Sequence, residues 1–147
     1  MRHRLWVAAL AALVLAGSSR ADLKQALAEP NLEKRSQLAL DNARTAYKAA
    51  RAAYDKGDND QAAAAVREIE ESVDLAYASL TKTGKDPRKS PKYFKKAEIE
   101  TRELMKHIDA FENSMSFSDR EMLAKTKAKV QQVHDDLLVG LMEGKRK

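Results

Sequence analysis

Apolar residues recur at steps of three and four over most of this sequence, the spacing that places side chains on one face of an α-helix. A few Gly and Pro residues interrupt the pattern, and no stretch alternates with the period of two that a half-buried strand requires. The sequence therefore predicts an all-α fold. The predicted helices cover about 32–56, 59–80, 91–112 and 119–142.

Each predicted helix carries a narrow apolar stripe, which indicates side-by-side helix packing. The stripes are Leu40, Ala43, Tyr47, Ala50 and Tyr54; Ala62, Val66, Ile69, Val73, Ala76 and Leu80; Phe94, Ala97, Thr101, Leu104, Ile108 and Phe111; and Leu123, Thr126, Val130, Val133, Leu137 and Leu141.

Helix ends are indicated by residues that favour N-caps, namely Asn31, Asp58, Ser90, and Ser118 with Glu121 three residues later. The short connections at 57–58 and 113–118 predict two antiparallel hairpins. A longer connection, 81–90, joins them. We therefore expect an antiparallel four-helix bundle built from two helical hairpins.

The first hairpin is rich in Ala, and small side chains allow two helices to approach closely. The stretch 46–65 is similar to the turn of a tetratricopeptide repeat, with Tyr54, Gly57, Asp58 and Ala62 at matching positions. The resemblance implies a helical hairpin of the kind that binds proteins. The earlier aromatic and the closing Pro of that family are absent, and no second copy follows at its spacing, so we interpret the likeness as shared hairpin geometry.

The N-terminus has the layout of a secretory signal: basic residues, an apolar run over 5–16, and small residues up to Ala21. Twelve apolar residues fall short of the ~20 that span a bilayer. We predict a signal peptide over 1–21 and a single all-helical domain over 22–147, exported to the bacterial periplasm or outside the cell and soluble after cleavage. Cleavage would remove three of the 27 basic residues, against 22 acidic ones, which weakens the case for nucleic-acid binding.

The residues available exclude much chemistry. The chain has no Cys, which rules out disulfides, thiol catalysis and Cys-bound metals. It also lacks the nucleophile elbow, zinc-protease and phosphate-loop motifs. We expect a non-enzymatic protein without a cofactor.

A weak metal candidate is formed by Glu100, Glu103 and His107, which share a helix face. An exposed ion pair between Glu103 and His107 is the simpler interpretation, and no metal is predicted.

Basic residues are concentrated in one segment. Over 82–96, seven Lys and Arg residues stand against a single acid, Asp86, with Tyr93 among them. Such a cluster predicts either a solvated connection or a site for anions or a partner. The candidate site residues are Lys82, Lys85, Arg88, Lys89, Lys92, Tyr93, Lys95 and Lys96.

Three functions remain open on the sequence alone. The leading hypothesis is a protein-interaction module of the cell envelope that uses the Ala-rich hairpin or the basic segment. The first alternative is a peripheral binder of anionic membrane surfaces or polyanions through 82–96, and the second is a metal-binding bundle. An acidic stretch over 55–74 would also allow copies to pair as a salt-sensitive homo-oligomer. No specific nucleic-acid partner is expected.

Overall fold

Residues 18–144 are described by the structure, a computed structural model, with side chains from residue 22 onward. Within that range the chain is all-helical, without strands, and its five helices pack together. A single turn of 3-10 helix, Phe117–Asp119, precedes the last helix. The helices are α1 (Ser18–Ala28), α2 (Leu32–Asp55), α3 (Asn59–Lys82), α4 (Lys92–Ser114) and α5 (Glu121–Glu143).

The predicted stripes form the core. Every stripe residue of α3 and α4 is buried, as are those of α5 up to Leu137, while Leu141 is half-buried. On α2 the Ala residues of the stripe are buried, and Tyr47 and Tyr54 are half-buried at its edge. The 3.6-residue period therefore identified the buried faces correctly.

Two of the predicted caps are confirmed. The Asn31 side chain accepts a hydrogen bond from the Lys34 backbone N–H, and the Asp58 side chain accepts one from Gln61. The Ser90 and Ser118 predictions were wrong, since α4 begins after Pro91 and α5 after Arg120, both without a side-chain cap. Ser118 lies instead in the 3-10 turn.

Helices α2 and α3 lie against each other along their Ala-rich faces. Between them, the Asn42 side chain donates hydrogen bonds to Glu68 (3.0 Å) and to Ser72 (2.8 Å). All three residues are buried. Together with the tight 56–58 turn, these contacts set the antiparallel register of the pair.

Helices α4 and α5 are also antiparallel, because contacts near the start of α5 involve the end of α4 and later contacts involve its start. Lys127 pairs with Glu112 (2.6 Å), and His134 meets Glu98 (3.1 Å). The pair is joined to α2 and α3 by Tyr54, whose hydroxyl donates to Asp119 and accepts from the Ser116 backbone N–H.

The N-terminal helix α1 packs against α2 through the fully buried Ala26. The apolar run 5–16 of the predicted signal lies outside the described residues, and the predicted cleavage position after Ala21 falls within α1. Within the described part of the chain, no helix combines the length and the apolar character needed to cross a membrane.

Candidate anion-binding site

The basic segment 82–96 comprises the last residue of α3, a folded connection and the first turn of α4. Its single acid organises the connection. The Asp86 carboxylate accepts a hydrogen bond from the Arg88 backbone N–H (2.9 Å). The backbone carbonyl oxygen of Asp86 accepts from the backbone N–H groups of Lys89 (3.1 Å) and Ser90 (2.9 Å). The basic side chains are therefore presented from a structured turn.

The connection rests directly on the C-terminal end of α5. A Cβ atom added to Gly140 would lie 3.2 Å from the Pro87 ring, and one added to Gly144 would lie 3.1 Å from Arg88 and 3.2 Å from Asp86. Gly144 also has a backbone φ of +83°, a value that residues with a side chain rarely adopt. These two glycines allow the basic segment and α5 to approach closely.

A cavity of about 290 Å³ opens between this connection, the end of α3 and α5. Apolar groups of Pro87, Phe94 and Leu137 line it, together with Tyr77 and Thr81 of α3. The connection therefore covers the end of the core incompletely.

The structure leaves the basic side chains of the segment exposed and its aromatic residues turned inward. Tyr93 is half-buried against the core, with the Lys92 ammonium 5.2 Å from its ring centroid. Phe94 is buried. The exposed residues are Lys82, Lys85, Arg88, Lys89, Lys92, Lys95 and Lys96.

Within the described residues, the segment is poor in ion pairs. Lys85 pairs with Glu33, at the start of α2. Among residues 22–144, whose side chains the structure describes, no acidic partner is found for Lys82, Arg88, Lys89, Lys95 and Lys96. The segment therefore carries positive charge that the described structure does not neutralise.

Basic residues of α5 behave differently. Lys125 and Lys129 pair with Glu70 (3.1 Å) and Asp74 (3.3 Å) of α3. These pairs neutralise part of the acidic stretch 55–74, and its Glu68 is buried. Less of that stretch is consequently left to attract the basic segment of a second copy.

The three residues of the weak metal candidate each have a separate partner. Glu100 pairs with Arg44 (3.4 Å), Glu103 with Lys106 (2.9 Å), and His107 stacks on Tyr47 with ring centroids 5.2 Å apart. The hydrogen bond and charge of Lys106 lower the pKa of Glu103. Among the described residues, no three His, Asp or Glu side chains gather closely enough to hold a metal ion.

Sequence reasoning missed the partly buried pair of Glu98 and His134. His134 Nε2 lies 3.1 Å from Glu98 Oε1, and the two side chains are 11% and 13% exposed. His134 flanks the apolar stripe of α5, where most residues of a helical bundle are exposed, but it is only 9% exposed. The sequence did contain a signal for this position: His134 is four residues after Val130, and that spacing places it next to the buried face of α5.

Asp119 makes the stability of the Tyr54 junction dependent on pH. Hydrogen bonds from Ser116 and Tyr54 lower its pKa below the ordinary value of 3.8. The junction's ionic contribution is thus complete above that value and is lost as the pH falls through the folded-state pKa. We expect Asp119→Asn to unfold at lower urea concentration than the parent at pH 7, with the difference shrinking as the pH falls below 3.8. A difference that does not change with pH would contradict this origin.

No known protein-family model matches the chain, and no curated protein matches it in sequence.

Proposed function

We propose that this chain is an exported, non-enzymatic helical protein that binds anionic surfaces of the bacterial cell envelope through the basic segment 82–96. The observation that supports this proposal is a set of exposed cations in the segment that have no acidic partner among the described residues. Binding to an anionic surface would neutralise charges that the fold leaves uncompensated. In this proposal α2 to α5 make up an antiparallel four-helix bundle, with α1 as an additional helix.

Export is supported by the N-terminal sequence, which has the order of basic, apolar and small residues typical of a secretory signal. The absence of Cys leaves such a protein independent of the oxidising conditions that an exported chain meets.

The Ala-rich hairpin offers less support for a binding role. Its residues Ala43, Ala46, Ala50 and Ala62 are at most 1% exposed, so their small side chains serve the packing of α2 on α3. The basic segment is therefore the better supported of the two surfaces that the sequence suggested.

Binding through this segment should be strongly dependent on salt. A Lys or Arg near an anionic membrane contributes about 1 kcal/mol, and the attraction decays over a Debye length of about 10 Å at roughly 0.1 M salt. Five or six such residues give useful affinity only when they act together. Neutralising several of them should consequently have a large effect.

The test is binding of the purified chain to inorganic polyphosphate, a soluble polyanion, at about 50 and about 300 mM salt. We expect the quadruple variant Arg88→Gln, Lys89→Gln, Lys95→Gln and Lys96→Gln to bind at least about tenfold more weakly at the lower salt, since each position removes an unpaired cation. Fluorescence anisotropy of labelled polyphosphate measures both affinities.

A matched control distinguishes the effect of the basic segment from the effect of the protein's net charge. Lys24, Lys48, Lys56 and Arg67 are also exposed and have no acidic partner among the described residues. Their simultaneous change to Gln removes the same charge elsewhere and should weaken binding much less. Equal losses in the two variants, or binding insensitive to salt, would refute the proposed site.

A further inference from the structure

Exposed apolar side chains lie beside the basic segment. On α5, Leu138 is 41% exposed and Met142 is 70% exposed. On α4, Ile99 is 47% exposed. Single exposed apolar residues are ordinary on protein surfaces, but these three belong to adjacent helix ends and lie near exposed lysines of α4, with one exposed acid, Asp135, beside Leu138 on α5.

Their placement follows from the contact between Glu98 and His134. Residues four apart lie one above the other on a helix, so Leu138 and Met142 continue the row that begins at His134. Because α4 and α5 are antiparallel, one turn from His134 towards Leu138 corresponds to one turn back from Glu98 on α4. The exposed residue there is Lys95, since its neighbour Phe94 is buried.

Ile99 and Lys95 are likewise four residues apart on α4, with Lys92 one turn before Lys95. The outer face at this end of the molecule therefore combines apolar side chains of both helices with exposed Lys side chains. That face is what we call the amphipathic end, defined by Lys92, Lys95, Ile99, Leu138 and Met142.

We propose that the anionic surface bound by this protein is a lipid bilayer, with Leu138 and Met142 entering the headgroup region while the lysines contact lipid phosphates. This inference rests on the proposed function and specifies its partner. Apolar side chains next to a polybasic cluster are the combination by which peripheral proteins bind anionic membranes.

Charge complementarity and apolar exposure together favour a bilayer over a soluble polyanion. A polyanion satisfies the lysines but offers no medium in which apolar side chains leave water. A bilayer supplies both within a few ångströms of depth. The flexible Met142 side chain can adapt to such a disordered medium.

The test compares three probes: vesicles of phosphatidylcholine containing phosphatidylglycerol, vesicles of phosphatidylcholine alone, and inorganic polyphosphate. We expect Leu138→Gln with Met142→Gln to reduce partition into the anionic vesicles by at least about tenfold, since it removes most of the apolar area that enters the bilayer. The affinity for polyphosphate should stay within about twofold of the parent, because the cations are unchanged.

Phe117 provides a matched control. It is 88% exposed and lies next to the Tyr54 junction at the end of α2, whereas Lys85 contacts the start of α2 at Glu33. Since α2 has 24 residues, these two ends are about 36 Å apart. Phe117→Gln should leave vesicle binding unchanged. Every variant keeps the same N-terminus, so a contribution from the run 5–16 is common to all of them.

A direct probe tests insertion without relying on a loss of binding. In Met142→Trp we expect a blue shift of Trp emission on anionic vesicles, relative to the parent, which contains only Trp6. Polyphosphate binding with no vesicle effect of the Leu138 and Met142 changes would overturn the lipid inference and leave the proposed function standing. Failure to bind both polyphosphate and anionic vesicles would overturn both.

Discussion

Replacing Phe111 by Ala is expected to lower the free energy of unfolding by about 3–5 kcal/mol. Phe111 is fully buried on α4. Its ring meets Tyr47 and Tyr54 of α2 edge to face, with centroids 6.2 and 5.6 Å apart, and the Arg51 guanidinium lies 5.3 Å from its centroid. Truncation loses the transfer free energy of the ring and leaves a cavity that three partners line.

Urea unfolding followed by circular dichroism at 222 nm measures this loss. The matched control is Phe117→Ala, the same substitution at a residue that is 88% exposed, and its effect should stay within about 0.5 kcal/mol. A loss below about 1 kcal/mol at Phe111 would mean that the site collapses around the missing ring, and that it does not join α4 to α2 in the way described.

The buried faces of the helices could be predicted because long amphipathic helices leave little freedom once their period is known. Val66, Ile69 and Val73 recur at the steps that keep a helix face towards its neighbours, and all are buried. Predicted bounds agree with the observed helices to within two residues at each end. Local caps such as Asn31 depend only on adjacent residues and were predicted for that reason.

The start of α5 shows where local reasoning fails. Ser118 and Glu121 have the spacing of a capping box. Asp119 and the Ser116 backbone are instead bound by the Tyr54 hydroxyl, more than 60 residues earlier in the chain. A tertiary contact of this kind replaces the local cap, and no local pattern contains it.

Buried polar residues were equally beyond the sequence. Glu68 and Asn42 are 26 residues apart and lie in an interface that periodicity assigns to small apolar residues. The hydrogen bond that the Asn42 amide donates to the Glu68 carboxylate offsets part of the cost of burying both groups. That pairing depends on the register of α2 against α3, which the apolar pattern alone does not determine.

The candidate site was predictable in part. The run of basic residues over 82–96 is visible in the sequence, but which of them are paired is not: Lys85 finds Glu33 at a separation of 52 residues. Leu138 and Met142, which make the end of the molecule amphipathic, join this surface only through the packing of α5 on α4. The sequence did not indicate that Leu138 and Met142 are exposed, because each directly follows a residue of the apolar stripe, which continues to Leu141.

The Ala-rich interface leads to the second large effect. The Asn42–Ser72 hydrogen bond sets the register of α2 and α3. Because the helices are antiparallel, moving eight residues on from Asn42 to Ala50 corresponds to moving back by the same number on α3. Ala50 therefore faces the part of helix α3 that contains Ala62 and Ala65. Ala50 and Ala62 are both fully buried.

Ala50→Leu should therefore lower the free energy of unfolding by about 1–3 kcal/mol, because three additional carbon atoms must displace the backbone of α3 or adopt strained rotamers. The control is Ala52→Leu, an exposed position on the same helix, where the similar helix propensities of Ala and Leu predict a change of a few tenths of a kcal/mol. Urea unfolding of both variants measures the difference. Equal stabilities would show that the interface has room for a larger side chain, and that close approach of the two helices is not the reason for their Ala content.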